Sequence, residues 1–97
     1  MTPVVVWLED AVADLDCILD HIEKESPRGA LAMAVALREG ADTLLREHPR
    51  IGRRGRVAGT RELVIARTPF IVVYRMQAKT GRIEIIRLLH GAQRWPP

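Results

Sequence analysis

The sequence predicts an α+β fold in which a two-helix hairpin packs on an antiparallel sheet, with elements in the order β-α-α-β-β-β. Three observations predict it: a β-branched run near the N-terminus, two amphipathic stretches of helical period, and three closely spaced segments rich in β-branched and aromatic residues. At 97 residues the chain has room for one hydrophobic core, so we expect a single domain spanning residues 1–97.

The acidic N-terminal half is predicted to contain one strand and two helices. Val4–Leu8 is a β-branched run typical of a short strand. Asp10 is the expected cap of a first helix, whose apolar residues recur at three- and four-residue spacing: Val12, Leu15, Ile18, Leu19 and Ile22. Ser26 and Pro27 end that helix and start a second one, with serine at the cap and proline at the first helical position. The second helix is expected to end at His48-Pro49.

The second half of the chain is predicted to be a loop followed by a β-meander. Pro49–Gly59 is a loop by composition, because its glycines and proline break any regular period. Three strands follow with short connections: Thr60–Ala66, Phe70–Met76 and Arg82–Leu89. The last two are apolar on both faces, whereas two helices can cover only one. Either a partner or the chain's own tail must cover the other face.

Charge is divided sharply along the chain. Residues 1–48 contain 4 Lys and Arg against 10 Asp and Glu, a net charge of −6, whereas residues 49–97 contain 11 against 2, a net charge of +9. The two halves together give the net charge of +3. A concentrated basic region favours polyanionic or acidic partners, such as nucleic acid or an acidic protein segment.

The remaining composition points to a folded cytoplasmic protein without cofactors. No apolar run approaches the roughly 18 to 20 residues that span a bilayer, and the N-terminus lacks a basic signal region. The lone Cys17 is consistent with a reducing compartment. Asp14, Cys17 and His21 share a helical face, but no second pair of soft ligands accompanies them. We therefore expect no metal and no cofactor.

A cluster of arginines in the loop is the first candidate site. Arg50, Arg53, Arg54 and Arg56 are interrupted by glycines, which we interpret as allowing close approach of a partner. Guanidinium groups pair bidentately with phosphate or carboxylate, so anion binding is the functional interpretation. A merely solubilising loop is the alternative.

His90 is the second candidate, because it directly follows the last predicted strand and lies near Arg87 in sequence. A histidine beside arginine is suited to acid or base catalysis of ribonucleotide cleavage. The alternative is a histidine that only hydrogen-bonds the tail backbone. No second proton-transfer group accompanies it, since Tyr74 is mid-strand and the tail aromatic is Trp95.

Several segments together resemble the RelE/ParE toxin superfamily of type II toxin-antitoxin systems, and its ParE-like branch in particular. They are the first strand ending in Trp7, the acidic first helix, Pro49–Arg53, Gly59–Leu63, Phe70–Arg75 and the closing Leu88–Pro96. The resemblance covers nearly the whole chain, and the closing segment is its most specific part. It implies a two-helix hairpin on an antiparallel sheet, and a cognate antitoxin whose flexible tail wraps the toxin.

The resemblance implies two possible activities. ParE-like members bind and poison DNA gyrase, whereas RelE-like members cut messenger RNA on the ribosome with basic sheet residues and a terminal tyrosine or histidine. Arg61, Arg87 and His90 match part of that nuclease set, but the sheet lysines and the terminal tyrosine have no counterpart. Loss of a proton-transfer group typically costs about two to four orders of magnitude in rate.

We therefore expect a gyrase-binding toxin rather than an enzyme, neutralised by a cognate antitoxin. The alternatives are a ribosome-dependent mRNA endonuclease acting on ribosome and mRNA, and a non-toxic arginine-rich nucleic-acid-binding module. No membrane partner is expected. The residues expected to bind target or antitoxin are Arg50, Arg53, Arg54, Arg56, Arg61, Arg87, His90, Arg94 and Trp95.

Overall fold

A computed structural model of the chain describes residues 3–91 and 93–96. Ala92, within the closing segment that carries the family resemblance, lies outside the described residues. The elements are β1 (Val5–Trp7), α1 (Glu9–Glu23), α2 (Pro27–Glu47), β2 (Arg53–Arg54), β3 (Thr60–Val64), β4 (Phe70–Met76) and β5 (Ile83–His90). The predicted α+β class and the helical hairpin on a sheet are confirmed.

The strands form one sheet in the order β1-β5-β4-β3-β2. The predicted meander is present, because β3, β4 and β5 pair antiparallel in sequence order. β1 adds to the outer edge of β5 in parallel, which the long crossover through two helices permits. The two-residue strand β2 was not predicted, since its arginines and flanking glycines carry no strand signal.

Helix boundaries show where local rules sufficed. Ser26 caps α2 as predicted: its Oγ accepts the Gly29 N–H at 3.0 Å, and Pro27 occupies the first helical position. The prediction that Asp10 caps α1 is wrong, because α1 begins at Glu9 and Leu8 occupies the cap position without a side-chain hydrogen bond. Glu9 and Asp10 instead lie in the first turn, where their negative charges favour the helix dipole.

The main core lies between the helices and one face of the sheet. Its fully buried members come from both layers: Leu37, Leu45, Val72, Tyr74, Ile83 and Ile85. At one margin, Trp7 donates its ring N–H to Asp42 at 2.9 Å, and the Arg38 guanidinium lies 5.4 Å from the centre of the indole. These contacts attach β1 to α2.

The opposite face of the sheet is also largely buried. Strand alternation places Val73 on this face, and it is only 1% exposed. The C-terminal segment contributes to this cover, because Trp95 lines a cleft of about 100 Å³ together with Ile71 and Leu89. The tail thus accounts for part of the second apolar face, although Val64 remains 56% exposed.

An ion pair fastens α1 to the part of β5 that extends beyond β1. The Arg87 guanidinium donates to both carboxylate oxygens of Asp14, at 2.7 and 2.9 Å. The same carboxylate accepts the Leu88 N–H at 2.9 Å, just beyond a bulge at Ile86. Asp14 therefore satisfies both a charge and a backbone donor at this edge.

Neither helix has the length and apolarity that crossing a lipid bilayer requires, within the described part of the chain.

The substitution Asp14→Asn tests this fastening. We expect a loss of about 1.5–3 kcal/mol in the free energy of unfolding, because a charge-assisted bidentate contact is lost between side chains only 17% and 28% exposed. Urea denaturation measures the change. Asp16→Asn, on the exposed side of the same helix, is the matched control, and equal stability of the two variants would contradict the assignment.

Candidate functional site

The arginine loop, residues 49–59, is held on the sheet by the hydroxyl of Tyr74. This hydroxyl donates to the Pro49 carbonyl at 2.8 Å and accepts the Gly52 N–H at 2.9 Å. Tyr74 is fully buried in the centre of β4. Burial raises the pKa of the Tyr74 hydroxyl, opposed by the Gly52 hydrogen bond and the nearby Arg61 charge, so the phenol stays protonated and can donate.

Glycines in this loop permit contact with the chain's own sheet. A Cβ built on Gly52 would lie 2.7 Å from Cε1 of the Tyr74 ring, closer than side-chain carbons normally approach. A Cβ on Gly55 would collide with the Thr60 hydroxyl. Our interpretation that these glycines allow close approach of a partner is therefore replaced by an internal role at both positions.

Arg61, a predicted site residue on β3, forms the second attachment of the loop. One of its terminal nitrogens donates to the carbonyl oxygens of Gly52 at 2.8 Å and Arg50 at 3.3 Å. Both acceptors are neutral, so the Arg61 charge is positioned but not cancelled. Tyr74 and Arg61 together fix the course of the backbone from residue 49 to residue 52.

The remaining loop arginines differ in their partners. Arg53 pairs with Glu62 across the β2–β3 ladder at 3.1 Å, although its side chain remains 68% exposed. Arg50, Arg54 and Arg56 are exposed, and no carboxylate of residues 3–91 or 93–96 forms an ion pair with them. These three guanidinium groups are the uncompensated charges of the loop.

Arg75 and Glu84 form a polar pair on the tail-facing side of the sheet that was not predicted. Arg75 Nε donates to Glu84 at 2.8 Å, and Arg82 donates to the other carboxylate oxygen at 3.0 Å. The Arg75 hydrogen bond holds the pKa of Glu84 below its usual range, outweighing the opposing effect of burial. The alternation of side chains along β4 could have placed Arg75 on this face of the sheet. Its pairing with Glu84 is visible only from the register between β4 and β5.

His90 lies at the end of β5, in contact with the tail. Its backbone N–H donates to the Gln93 side chain at 2.7 Å, and its ring meets Phe70 edge-on with centroids 5.8 Å apart. Gln93 in turn donates its backbone N–H to the His90 carbonyl at 2.9 Å. These contacts turn the chain back toward the sheet, where Trp95 shares its cleft with Arg53 and Arg56. Arg94 is exposed beside it.

The structure does not bring the alternative nuclease set together. Arg61 is on β3 and its guanidinium is bound by loop carbonyls, whereas Arg87 is on β5 and is bound by Asp14 of α1. β4 lies between them, so their strands are about 10 Å apart, two strand spacings. His90 is three residues beyond Arg87 and contacts Phe70.

The arginines instead form two groups. Arg50, Arg54, Arg61 and Arg75 line a cleft of about 420 Å³ between the loop and the adjoining ends of β3 and β4. Arg53 and Arg56 line the tail cleft with Trp95. The chemistry that these groups offer is anion binding and hydrogen-bond donation, with no neighbouring pair of proton-transfer groups in either lining among the residues that the structure describes.

Known toxins match this chain over most of its length. Residues 5–95 match the family model described as ParE toxin of type II toxin-antitoxin system, parDE. A putative toxin Y4kP of Sinorhizobium fredii is 38% identical over 90 residues, covering 93% of this chain and 90% of that protein. Toxin RelE2 of Caulobacter vibrioides is 39% identical over 89 residues, covering 92% and 96%.

Solved structures agree. The chromosomal ParDE toxin-antitoxin system of P. aeruginosa contains a chain with TM-score 0.81 and 29% identity, covering 92% of this chain and 96% of that one. The RelBE2 toxin-antitoxin complex of Mycobacterium tuberculosis gives TM-score 0.61 and 26% identity, covering 96% and 95%. The fold and these matches thus define a toxin of the RelE/ParE superfamily. The chain belongs to the ParE toxin family of type II toxin-antitoxin systems.

Tyr74→Phe tests the attachment of the arginine loop. Removing the hydroxyl leaves the buried Gly52 N–H without its acceptor, so we expect a loss of about 1–3 kcal/mol in the free energy of unfolding. Amide exchange at Gly52 should accelerate, because the loop can then leave the sheet. Unchanged exchange at Gly52 would show that Tyr74 does not hold the loop. Thr68→Val, which removes a hydroxyl that bonds within the connection between β3 and β4, is the control and should leave exchange at Gly52 unchanged.

Proposed function

We propose that this toxin acts by binding DNA gyrase and inhibiting it, rather than by cleaving RNA. The observation that carries the proposal is that two members of the nuclease set, Arg61 on β3 and Arg87 on β5, lie on strands separated by β4. Both are already bound by internal groups, Arg61 by loop carbonyls and Arg87 by Asp14. A nuclease needs its acid, its base and its charge-stabilising group around one phosphate.

The basic surface is better suited to recognition than to proton transfer. Exposed arginines of the loop and the half-buried Trp95 are residue types that dominate protein interfaces. Tyr74 and Arg61 fix the loop backbone from residue 49 to residue 52 before binding, which lowers the conformational entropy lost in a complex. The match to the ParE family model across residues 5–95 supports the same choice of target.

We also propose that a cognate antitoxin neutralises the toxin by direct binding. Both structural neighbours described above are toxin-antitoxin complexes. On this chain, Leu31 and Val35 are exposed one turn apart on α2, at 68% and 47%, and offer apolar surface for an antitoxin helix. An acidic antitoxin segment would complement the basic half of the molecule.

RNA cleavage on the ribosome is the second candidate. The observation that favours it is the name of a relative, toxin RelE2, at 39% identity over 92% of this chain. His90, at the end of β5, is the residue on which such an activity would depend.

A paired assay separates the two targets. Purified toxin is added to a gyrase supercoiling reaction and, separately, to a translating extract in which messenger RNA is followed directly. We expect loss of supercoiling that is reversed by the antitoxin, and intact message. Cut message in the extract with supercoiling untouched would overturn the proposal.

His90→Gln sharpens the same test. An RNA-cleaving enzyme that loses its acid or base should lose about two to four orders of magnitude in rate. A binding inhibitor that loses one surface contact should lose about tenfold or less in potency, the equivalent of about 1.4 kcal/mol. The measurements are the toxin concentration that halves supercoiling and the expression level that arrests growth. A loss of growth arrest beyond a hundredfold, in a variant with unchanged melting temperature, would contradict gyrase binding.

A further inference from the structure

The cleft beside the arginine loop, here the arginine cleft, is the strongest site that the toxin assignment does not explain. It has a volume of about 420 Å³ and lies where the loop meets the start of β3 and the end of β4. Arg50, Arg54, Arg61 and Arg75 line it, together with small and apolar side chains that include Val57 and Met76. No lining residue is acidic.

The charges that surround this cleft are far from balanced. Arg61 is bound only by neutral carbonyls, and Arg50 and Arg54 form no ion pair within the described ranges. Arg75 shares the single carboxylate of Glu84 with Arg82. The four guanidinium groups of the lining are therefore offset by one carboxylate, which is shared with Arg82 outside the lining. Arg54 and Arg61 are register partners on β2 and β3, and like charges on neighbouring strands repel one another, so an anion in the cleft would relieve that repulsion.

The cleft is also built in advance of binding. Arg61 is held by two hydrogen bonds to the loop backbone, and that backbone is held by the buried Tyr74 hydroxyl. Because Arg61 and the loop backbone are already positioned, binding costs less conformational entropy, and the exposed side chains of Arg50 and Arg54 are the ones that a ligand would order. Guanidinium groups supply paired N–H donors that match phosphate oxygens.

The lining indicates which kind of anion fits. The cleft falls in the range of about 300–1,000 Å³ that holds small organic groups, so a sugar-phosphate unit fits within it. Among the described residues, no aromatic side chain on which a base could stack lines the cleft. Recognition would thus rest on phosphate and sugar, which carry no base sequence.

We propose that the arginine cleft binds the phosphodiester backbone of a nucleic-acid strand, independently of base sequence. The proposed contact does not depend on which target the toxin binds, because gyrase carries DNA and the ribosome carries RNA. It gives the toxin a second point of attachment on a target that carries nucleic acid, with Arg50 and Arg54 as the principal phosphate contacts.

Binding of labelled oligonucleotides tests the proposal, measured by fluorescence anisotropy with neither gyrase nor ribosome present. The full-length toxin is titrated against duplex DNA, single-stranded DNA and RNA of two unrelated sequences, between about 50 and 200 mM salt. The double variant R50Q/R54Q is expected to lower affinity at least tenfold at the lower salt concentration. It should also reduce the slope of log affinity against log salt by about 1.8 for duplex DNA and about 1.4 for single strands, the contribution of two phosphate contacts.

R28Q/R67Q is the matched control, since it removes the same charge from two exposed arginines outside the cleft. Melting temperatures of both double variants establish that they fold. The proposal is overturned if both variants lose affinity equally, if R50Q/R54Q binds like the unaltered toxin, or if poly-glutamate of matched charge competes as well as nucleic acid. Because no target is in the assay, failure here leaves the gyrase experiment independent.

Discussion

The arrangement of the basic half of this toxin depends on the buried hydroxyl of Tyr74, whose two hydrogen bonds hold the arginine loop on the sheet. This hydroxyl joins Pro49 and Gly52, 25 and 22 residues away in sequence, to the centre of the sheet. The loop that these contacts hold carries four arginines, whose like charges repel one another and oppose its close packing on the sheet. Gly52 has no side chain because the Tyr74 ring occupies the space that a Cβ would need. The position of the arginine cleft follows from these contacts, because Arg61 then reaches the carbonyls of the fixed loop.

The arginines of this toxin divide into those that build the fold and those that are presented to solvent. Arg87 is bound by Asp14, whose hydrogen bonds raise the pKa of the guanidinium, so it fastens a helix to a strand. Arg61 fixes the loop and still contributes its charge to the cleft. The side chains of Arg50, Arg54 and Arg56 form no ion pair within the described chain and remain exposed. Because some of these arginines have internal partners, the net charge of +9 in residues 49–97 overstates the charge that a partner can contact. A compact group of arginines nevertheless lies beside one cleft.

Local sequence rules predicted the elements whose causes are local. The cap at Ser26, the limits of β4 and the antiparallel order of the last strands follow from residue type and spacing. The site depends instead on contacts between residues distant in sequence. Asp14 and Arg87 are 73 positions apart, and Tyr74 looks like an ordinary core aromatic until the loop carbonyl is seen against it. Arg75 was not predicted as a site residue, because the alternation of residues along a strand does not show which cleft lies at the end of that strand. The parallel pairing of β1 with β5 was likewise beyond the local signals.

Membership of the ParE family and the separation of Arg61 from Arg87 by β4 support our proposal that this toxin acts by binding and not by turnover. The decisive quantity is the ratio of toxin to inhibited target. Toxin is titrated against a fixed, high concentration of gyrase, and the fraction of enzyme inhibited is measured at each step. We expect a linear decline in gyrase activity that ends near stoichiometric toxin. A small amount of toxin that destroys a large excess of translated message, while gyrase stays active, would contradict it.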